Sequence, residues 1–542
     1  MNSVSEVTQP TGSAKRRRGV WAWIGLSSLI AFVTFLIVAE IMIERAGPIL
    51  KGRVIETLST RFNSRVELEQ FNVSVLRGLE ISGDQLRIFP PDAVVAAGAK
   101  EPLIAIDHFS FHSGILGLIF KPTHVRAVYV RGLHISIPPR EVRQKNAGNE
   151  SRKGKIKILV NKIVCEDSRL TIETIRPDKD PKEFTLKHIE LHDVGPNAPW
   201  SYEAILTNAV PTGEIQAKGF FGPWNTDMPG DSSVSGHYTF DHADLNTIKG
   251  IGGILSSVGD FKGQLNKIEV DGTAETPEFS LDTSNHPVPL HTEFHAIVDG
   301  TSGDTYLQPV KAKLGESRFT TNGAVVNVKG KGHTIDLDVD IPAGQLRDFL
   351  QLAVKTEPPV MTAVIATKTK LHIRPGKESV TKRLSFTGAF ALRKIRFTNP
   401  KVQDKVDMLS LRARGDPKEA KTGAKDVDSQ MKGSFVMDRS IIRFRSLDYT
   451  LPGARIDLAG IYSMDGQQFN FTGTVFTKAT LPHMVASRWK SLLLRPISPF
   501  FKGPNGGAEI PVKISGTKSA PKFGLDLFRK DSEGPNSKPR PR

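Results

Sequence analysis

Along most of this chain, apolar and polar residues alternate one for one. The runs RVELEQFNVSVL, VRAVYVRGLHISI, KIKILV, RLTIETI, FTLKHIELHDV, HTIDLDVDI, RIDLAGIY and QFNFTGTVF all follow this rule. It is the pattern of strands with one buried and one wetted face. In the last run Phe469, Phe471 and Val475 share one face, while Gln468, Asn470, Thr472 and Thr474 take the other. Turn residues at Glu166-Asp167-Ser168 and Met464-Asp465-Gly466-Gln467 predict hairpins. The expected body is mostly β and antiparallel.

Helical spacing interrupts this pattern in a few places. Ile49–Phe62 carries Leu50, Val54, Leu58 and Phe62 at steps of four, and Ala343–Lys355 carries Leu346, Phe349, Leu350, Ala353 and Val354. Asp244–Val258 offers Leu245, Ile248, Ile251 and Leu255, weakened by Gly250, Gly252 and Gly253. Pro482–Leu494 begins with proline and carries Met484, Val485, Trp489 and Leu492. Charged segments at Arg140–Lys155 and Arg412–Gln430 read as exposed loops, and Arg529–Arg542 as a disordered tail.

One segment is apolar throughout. Val20–Ile43 has a single charge, Glu40, and as a helix would span roughly 36 Å, against a hydrocarbon core of about 30 Å. Leu26, Leu29, Ile30, Phe32, Phe35, Leu36 and Ile37 supply its apolar body, with Trp21 and Trp23 at the headgroup end. Lys15, Arg16, Arg17 and Arg18 precede it and set the N-terminus on the cytoplasmic side. A cleaved signal peptide is the alternative, but the apolar run exceeds a signal's core and no clean small-residue cleavage site follows. The expected topology is a single-pass anchor with the bulk of the chain outside the cytoplasm. The resulting division is a basic N-terminus (1–19), an anchor (20–43), a helix and β region (44–140), a charged loop (141–155), a middle β region (156–343) with helix 244–258, a C-terminal β region (344–528) and a tail (529–542).

Composition narrows the chemistry. The 542 residues hold 73 Lys and Arg against 57 Asp and Glu, a net charge of +16 that favours an anionic counterpart. One cysteine, Cys165, excludes a disulfide framework and cysteine-built zinc sites, and reads as a small core residue. No phosphate loop, metalloprotease helix or nucleophile elbow is present, so no catalytic residue, metal ligand or cofactor is expected. Outside the cytoplasm a nucleic-acid partner is not expected either. His108 and His112 are a possible metal pair on one strand face, but lack a third ligand and read as surface residues. Arg443-Phe444-Arg445, with Arg439 and the Arg393–Phe397 run, mixes basic and aromatic residues. Alternation turns Phe444 inward and the arginines outward, a solvated strand face.

The chain also repeats itself. Asp271–Asp282 (DGTAETPEFSLD) and Ser515–Asp526 (SGTKSAPKFGLD) coincide at six of twelve positions. Both copies read as strand, glycine turn and proline-initiated strand, with Phe279 and Leu281, or Phe523 and Leu525, on one face. Modules of this kind bury their faces by stacking on neighbours.

The order of these pieces resembles the AsmA-like family of bacterial inner-membrane-anchored periplasmic proteins. The resemblance rests on the anchor, LKGRVIETLSTRFNSRVELEQFNVSVLRGLEISGDQLRIF, EPLIAIDHFSFHSGILGLIFKPTHVRAVYVRGLHISIPPR, DLNTIKGIGGILSSVGDFKGQLNKIEVDGTAETPEFSLD, ARIDLAGIYSMDG, FNFTGTVFTKATL and AEIPVKISGTKSAPKFGLDL. It implies a transmembrane helix followed by an elongated, twisted antiparallel β-sheet groove of repeating β modules with a few short amphipathic helices. It also implies a place in outer-membrane biogenesis, with membrane phospholipid bound or moved along the groove and envelope proteins as possible partners. Candidate lining residues are Ile156, Ile158, Val160, Phe279, Leu281, Phe469, Phe471, Val475, Phe523 and Leu525. Two alternatives stay open: alternation serves a closed β-sandwich core as well as an open groove, and a lipid-free scaffold for outer-membrane protein assembly fits the same placement.

Overall fold

A computed structural model of the protein describes residues 33–34, 48, 51–52, 54–56, 58–59, 64–74, 79–90, 102–113, 123–137, 158–173, 179–195, 198–223, 229–355, 358–419, 427–463, 468–485, 495, 498–503, 506–517 and 521–525. The chain divides into two compact units, Met1–Thr171 with His188–Trp200, and Ile172–Lys187 with Ser201–Arg542. The protein is mostly β, with 25 strands among the described residues.

In the first unit β1 (Val66–Glu67) and β2 (Gln70–Ser74) both pair with β3 (Leu79–Ile88). From there β4 (Ile104–Ser113) and β5 (Thr123–Ile137) continue an antiparallel ladder. Phe71, Gly83, Phe109 and Val130 stand opposite one another on one face. Asp84, His108 and Arg131 do so on the other. The alternation predicted from sequence is therefore realised as one apolar and one polar face. Two further strands, β6 (Ile158–Ile172) and β7 (Lys182–Val194), are shared between the units.

The larger unit continues with β8 (Trp200–Ala209), β9 (Thr212–Phe221), β10 (Ser233–Asp244), β11 (Ile251–Gly252), β12 (Ile254–Gln264), β13 (Lys267–Leu281), β14 (Val288–Val298), β15 (Thr305–Leu314) and β16 (Ser317–Val328). It then adds β17 (Gly332–Gln345), β18 (Met361–Ile373), β19 (Leu384–Phe397), β20 (Gln430–Asp438), β21 (Ile441–Leu451), β22 (Ala454–Ser463), β23 (Phe469–Thr477), β24 (Ala508–Gly516) and β25 (Pro521–Leu525). From β9 onward each strand pairs antiparallel with the next, except that β10 pairs with β12 and the short β11 pairs with β13. Charge helps fix the register. Asp336, Asp338 and Asp340 of β17 face His372, Lys370 and Lys368 of β18, with contacts of 2.6, 3.7 and 2.9 Å. A one-residue slip would turn these groups onto the apolar face.

This sheet is curled. Ser379 and Thr381, in the connection after β18, donate hydroxyl hydrogen bonds of 2.6 and 2.7 Å to the Asp282 carboxylate at the end of β13. The Val380 N–H donates to the Lys249 carbonyl at 2.8 Å. In a flat ladder these groups, at opposite ends of β13 and β18, would be separated by about 24 Å across the five strand steps and by about 40 Å along the strands. The strands must bend into a trough for this clasp to close. A second tie joins buried Lys179 to Asp304, which follows β14, at 2.7 and 2.8 Å, and to the Asn327 carbonyl of β16 at 2.7 Å.

The connections alternate between two margins of the trough. Among the described residues one margin carries the turns 265–266, 299–304, 329–331 and 439–440, the 3₁₀ turn Pro229–Asp231, and the 374–383 segment with the short helix α2 (Val380–Arg383). The other carries α1 (Leu346–Ala353), α3 (Pro400–Arg414) and the 3₁₀ turns Leu481–Met484 and Ser498–Phe501. Helix α1 touches β13, β14, β17 and β18 together, so it lies within the curl. Its Asp348 accepts from the Ser317 hydroxyl at 2.7 Å and the Glu316 N–H at 3.0 Å, and its Leu352 carbonyl accepts from Ser284 at 2.8 Å. Asn399 caps α3 by accepting from the Lys401 N–H, Pro400 opens the helix, and Gly415 at φ 97° ends it. Leu346 of α1 and Ala413 of α3 form a core with Leu392, Tyr449 and Ala454 of the strands.

Several expectations are corrected. Asp244–Val258 is not a helix: after a 3₁₀ turn at Leu245–Thr247, Gly250 and Gly253 take φ of 101° and 120°, and the chain enters β11 and β12. Glu166-Asp167-Ser168 is not a hairpin but lies inside continuous β6, with Asp167 alone at φ 50°. The first repeat copy is one strand rather than two, because β13 runs through Pro277 with a register shift between Thr276 and Phe279. In the second copy β24 ends at Gly516 and β25 begins at Pro521, as expected. The loop expected from Arg412 begins within α3, a helix the sequence reading did not include.

Residues 51–52, 54–56 and 58–59 are helical, within the expected Ile49–Phe62 helix. The anchor Val20–Ile43 lies outside the described residues apart from Val33 and Thr34, which are helical. Among the described residues no helix is long and apolar enough to cross a membrane. The Arg140–Lys155 loop, the 529–542 tail and all but the first turn of Pro482–Leu494 also lie outside the described residues.

Candidate functional site

The inner face of the trough can be read along its register. From β18 to β25 one row of opposed residues runs Thr369, Gly388, Phe435, Phe444, Gly460, Phe471, Ile514, Phe523. The next row runs Thr367, Phe390, Gly433, Leu447, Leu458, Gly473, Val512, Leu525. A glycine in one row thus sits beside a large residue in the other. Toward the turn margin lie Leu371, Phe386, Met437, Ile442, Tyr462 and Phe469. Every position in these rows is apolar, glycine or threonine except the tyrosine at the rim.

The glycines have a packing consequence. The rings of Phe390, Phe435, Phe444 and Phe471 form a chain, with centroids 6.0 Å (390 to 435), 6.4 Å (435 to 444) and 5.8 Å (444 to 471) apart. A Cβ on Gly433 would meet the Phe390 ring at 3.2 Å, and one on Gly460 the Phe471 ring at 2.8 Å. Rings from flanking strands therefore lean over glycine and join into an aromatic ridge at right angles to the strands. Such ring-over-glycine pairing stabilises sheet positions that lack a side chain of their own.

The ridge remains half-exposed, as do Phe386, Ile442, Phe469 and Val475 beside it. A closed sandwich would bury such side chains between two sheets about 10 Å apart. Full burial on this face is concentrated at the helical margin, where Leu392, Tyr449 and Ala454 meet α1 and α3. There Tyr449 donates to Ser429 at 3.0 Å, and burial pushes its pKa up. At the turn margin Arg374 binds Asp438 at 2.8 Å and holds that carboxyl below its ordinary range.

The sequence-derived lining residues fall as follows. Phe469, Phe471 and Val475 share the inner face of β23, and the register through β24 places Phe523 and Leu525 in the same two rows. Phe279 and Leu281 lie at the β13 end of the trough, on the inner face by their pairing with Val288 and Ile251. Val160 is half-buried in β6 of the first unit, Ile158 occupies a strand position there, and Ile156 lies outside the described residues. The anchor residues Trp21, Trp23, Leu26, Leu29, Ile30, Phe32, Phe35, Leu36 and Ile37, and the charges Lys15, Arg16, Arg17 and Arg18, also lie outside them. Phe390, Phe435 and Phe444 were not among the expected lining, although FxLxx and RFR alternation around them carried the signal.

The two histidines of β4 face the outside of the ladder. His108 binds Asp84 at 2.6 Å and His112 binds Glu80 at 3.2 Å, each pair directly opposed across β3 and β4. Four residues apart on one strand, the two imidazoles are about 13 Å from each other, too far to share an ion. Among the described residues no group of three or more His, Cys, Asp or Glu could hold a metal. Phe444 points inward and Arg443 is exposed, as alternation requires, while Arg445 stands in a register shift. Comparison with protein-family models, curated proteins and solved structures finds no match to this chain.

Proposed function

We propose that this chain is an AsmA-like protein, anchored in a bacterial inner membrane with its β body in the periplasm. In this reading it binds phospholipid acyl chains on the inner face of the trough and conducts them along it, without catalysis. The observation that carries the reading is the half-exposed aromatic ridge from Phe390 to Phe471, which runs along the sheet rather than along any one strand. Each methylene moved from water onto such a surface contributes about 0.8 kcal/mol, so about ten of them supply about 8 kcal/mol. Headgroups would remain in water at the rim.

The test is native mass spectrometry of the full chain purified from membranes in a mild detergent. Co-purified phospholipid that disappears in Phe471→Asp supports the groove. A folded, lipid-free protein that also takes up no added phospholipid refutes it. The scaffold alternative draws on one feature: β25 pairs with β24, and no further strand among the described residues pairs with β25, where Leu525 is 54% exposed. Capture of outer-membrane protein by the lipid-free chain, lost on changing that edge, would move the assignment there.

A further inference from the structure

The clasp joins places that the ladder itself would keep apart. Asp282 and Lys249 lie at the helical margin, at the end of β13 and in the connection from β10 to β12. Ser379, Val380 and Thr381 belong to the turn margin, in the 374–383 segment after β18. That segment is a strap with a fixed base. Arg374 binds Asp438 of β20 at 2.8 Å, and Arg383 donates to the Glu378 carbonyl at 2.9 Å and to the Arg374 carbonyl. Gly376, within the strap, takes φ 150°. The tip reaches across the trough and is latched by two hydroxyl donors to the exposed Asp282 carboxylate and by the Val380 N–H. Gly250 makes room for it, since a Cβ there would strike the Ser379 hydroxyl.

This latch differs from the Lys179–Asp304 tie, where two opposite charges are 5% and 6% exposed. Parting a buried ion pair is costly, whereas neutral hydroxyls on an exposed carboxylate exchange for water at little net cost. The lining shows what the latch closes over. Val310 continues through Thr321 and Val339 to Thr369, so the inner face is unbroken from β15 to β18. Between β14 and β18 that face is fully buried at Ala296, Val310, Ala312, Leu314, Ile341 and Ala363. Val310 stands in mid-strand, and α1 lies in the same stretch. Past the strap, on β19–β23, the ridge is half-exposed. One inner face is thus filled on one side of the strap and open on the other.

We infer that the 374–383 strap is a gate on the trough. Latched to Asp282, it confines a bound amphiphile to β19–β24. Released, it lets the curl between β13 and β18 widen and admit acyl chains there. Because base and tip are held separately, the tip can leave Asp282 while the base stays on β20. This rests on the groove reading above and adds a closed state to it.

The experiment places a photoreactive benzoylphenylalanine at Phe319, on the inner face of β16 opposite Ala312, or at Phe471. The detergent-purified full chain is mixed with vesicles of phosphatidylglycerol and phosphatidylethanolamine that carry a radiolabelled phospholipid, then irradiated. With the latch intact, Phe471 should label at least about tenfold more than Phe319. Asp282→Ala, and separately Ser379→Ala/Thr381→Val, should raise labelling at Phe319 by about fivefold or more and leave Phe471 within about twofold. Equal labelling of the two positions in the parent would overturn the gate, because the stretch would be open with the strap closed. Unchanged labelling at Phe319 in both variants would overturn it too, and quickened exchange at Val380 would then mark the clasp as a purely structural seam. No labelling at Phe471 in any chain would overturn the groove reading, and the gate with it.

Discussion

The rings of Phe390 and Phe444 lie 6.2 Å apart, centroid to centroid, although β20 separates their strands. Next-nearest strands are about 9.6 Å apart, so the two side chains converge over the gap at Gly433. A valine there would stand between them, and its Cβ alone would approach the Ser446 carbonyl oxygen at 2.6 Å. Gly433→Val should destabilise the larger unit by about 1–3 kcal/mol, read by urea titration. Unchanged stability would mean that the ridge is not packed as described.

Asp282 is the sole carboxylate that the clasp hydroxyls of Ser379 and Thr381 share. Replacing it by alanine leaves both without that acceptor, a loss of about 1–3 kcal/mol confined to the clasp. Hydrogen exchange should then quicken at Val380, whose N–H closes on Lys249, while β20–β24 keep their protection. Unaltered protection at Val380 would show that the curl does not depend on this contact.

The Lys179–Asp304 tie is buried on both sides, at 5% and 6% side-chain exposure. Lys179→Met strands a carboxylate and should cost about 3–5 kcal/mol, whereas Lys179→Met/Asp304→Leu should cost less than the single change. Burial acts to raise the Asp304 pKa, but Lys179 and the Asn327 N–H outweigh it, and the net shift is downward. A depressed carboxylate contributes stability above its unfolded pKa of about 3.9, and that contribution is lost as pH falls through the folded value. Acid unfolding of the parent should therefore show a component below about pH 4 that the double variant lacks. A single variant no worse than the double would contradict the pairing.

Cys165 is buried in β6, and burial pushes its thiol pKa from 9.0 up to about 11. At pH 8 its thiolate fraction falls about a hundredfold below that of the unfolded chain. Maleimide labelling should be slower than in urea by at least that factor. Equal rates would place the thiol at an open surface.

The sequence carried the strands well, because a period of two is a local property and the charges of Asp336–Asp340 and Lys368–His372 reinforce it. It also carried α1, whose apolar stripe is unbroken. It misread Asp244–Val258 because Leu245, Ile248, Ile251 and Leu255 mimic a helical stripe while the glycines between them bend the chain. It passed over α3, where lysines and aspartates hide a stripe made of Val406, Leu409 and Ala413. Phe471 was legible as an inward residue, but its place in a ridge with Phe390, Phe435 and Phe444 depends on register across the four pairings from β19 to β23. The clasp had no local signature at all: Asp282 and Thr381 are 99 residues apart and meet only because the sheet curls.

The alternation of margins gives the ladder a parity. Each strand carries the chain across the trough once, so removing a single strand would exchange the two margins for everything downstream and move α3 and the later 3₁₀ turns onto the opposite margin. Removing or adding a hairpin leaves every later helix where it was and changes the length by about 9.6 Å. A fold built this way can vary its reach only in two-strand steps, and the long connections along one side become the natural places for inserted sequence.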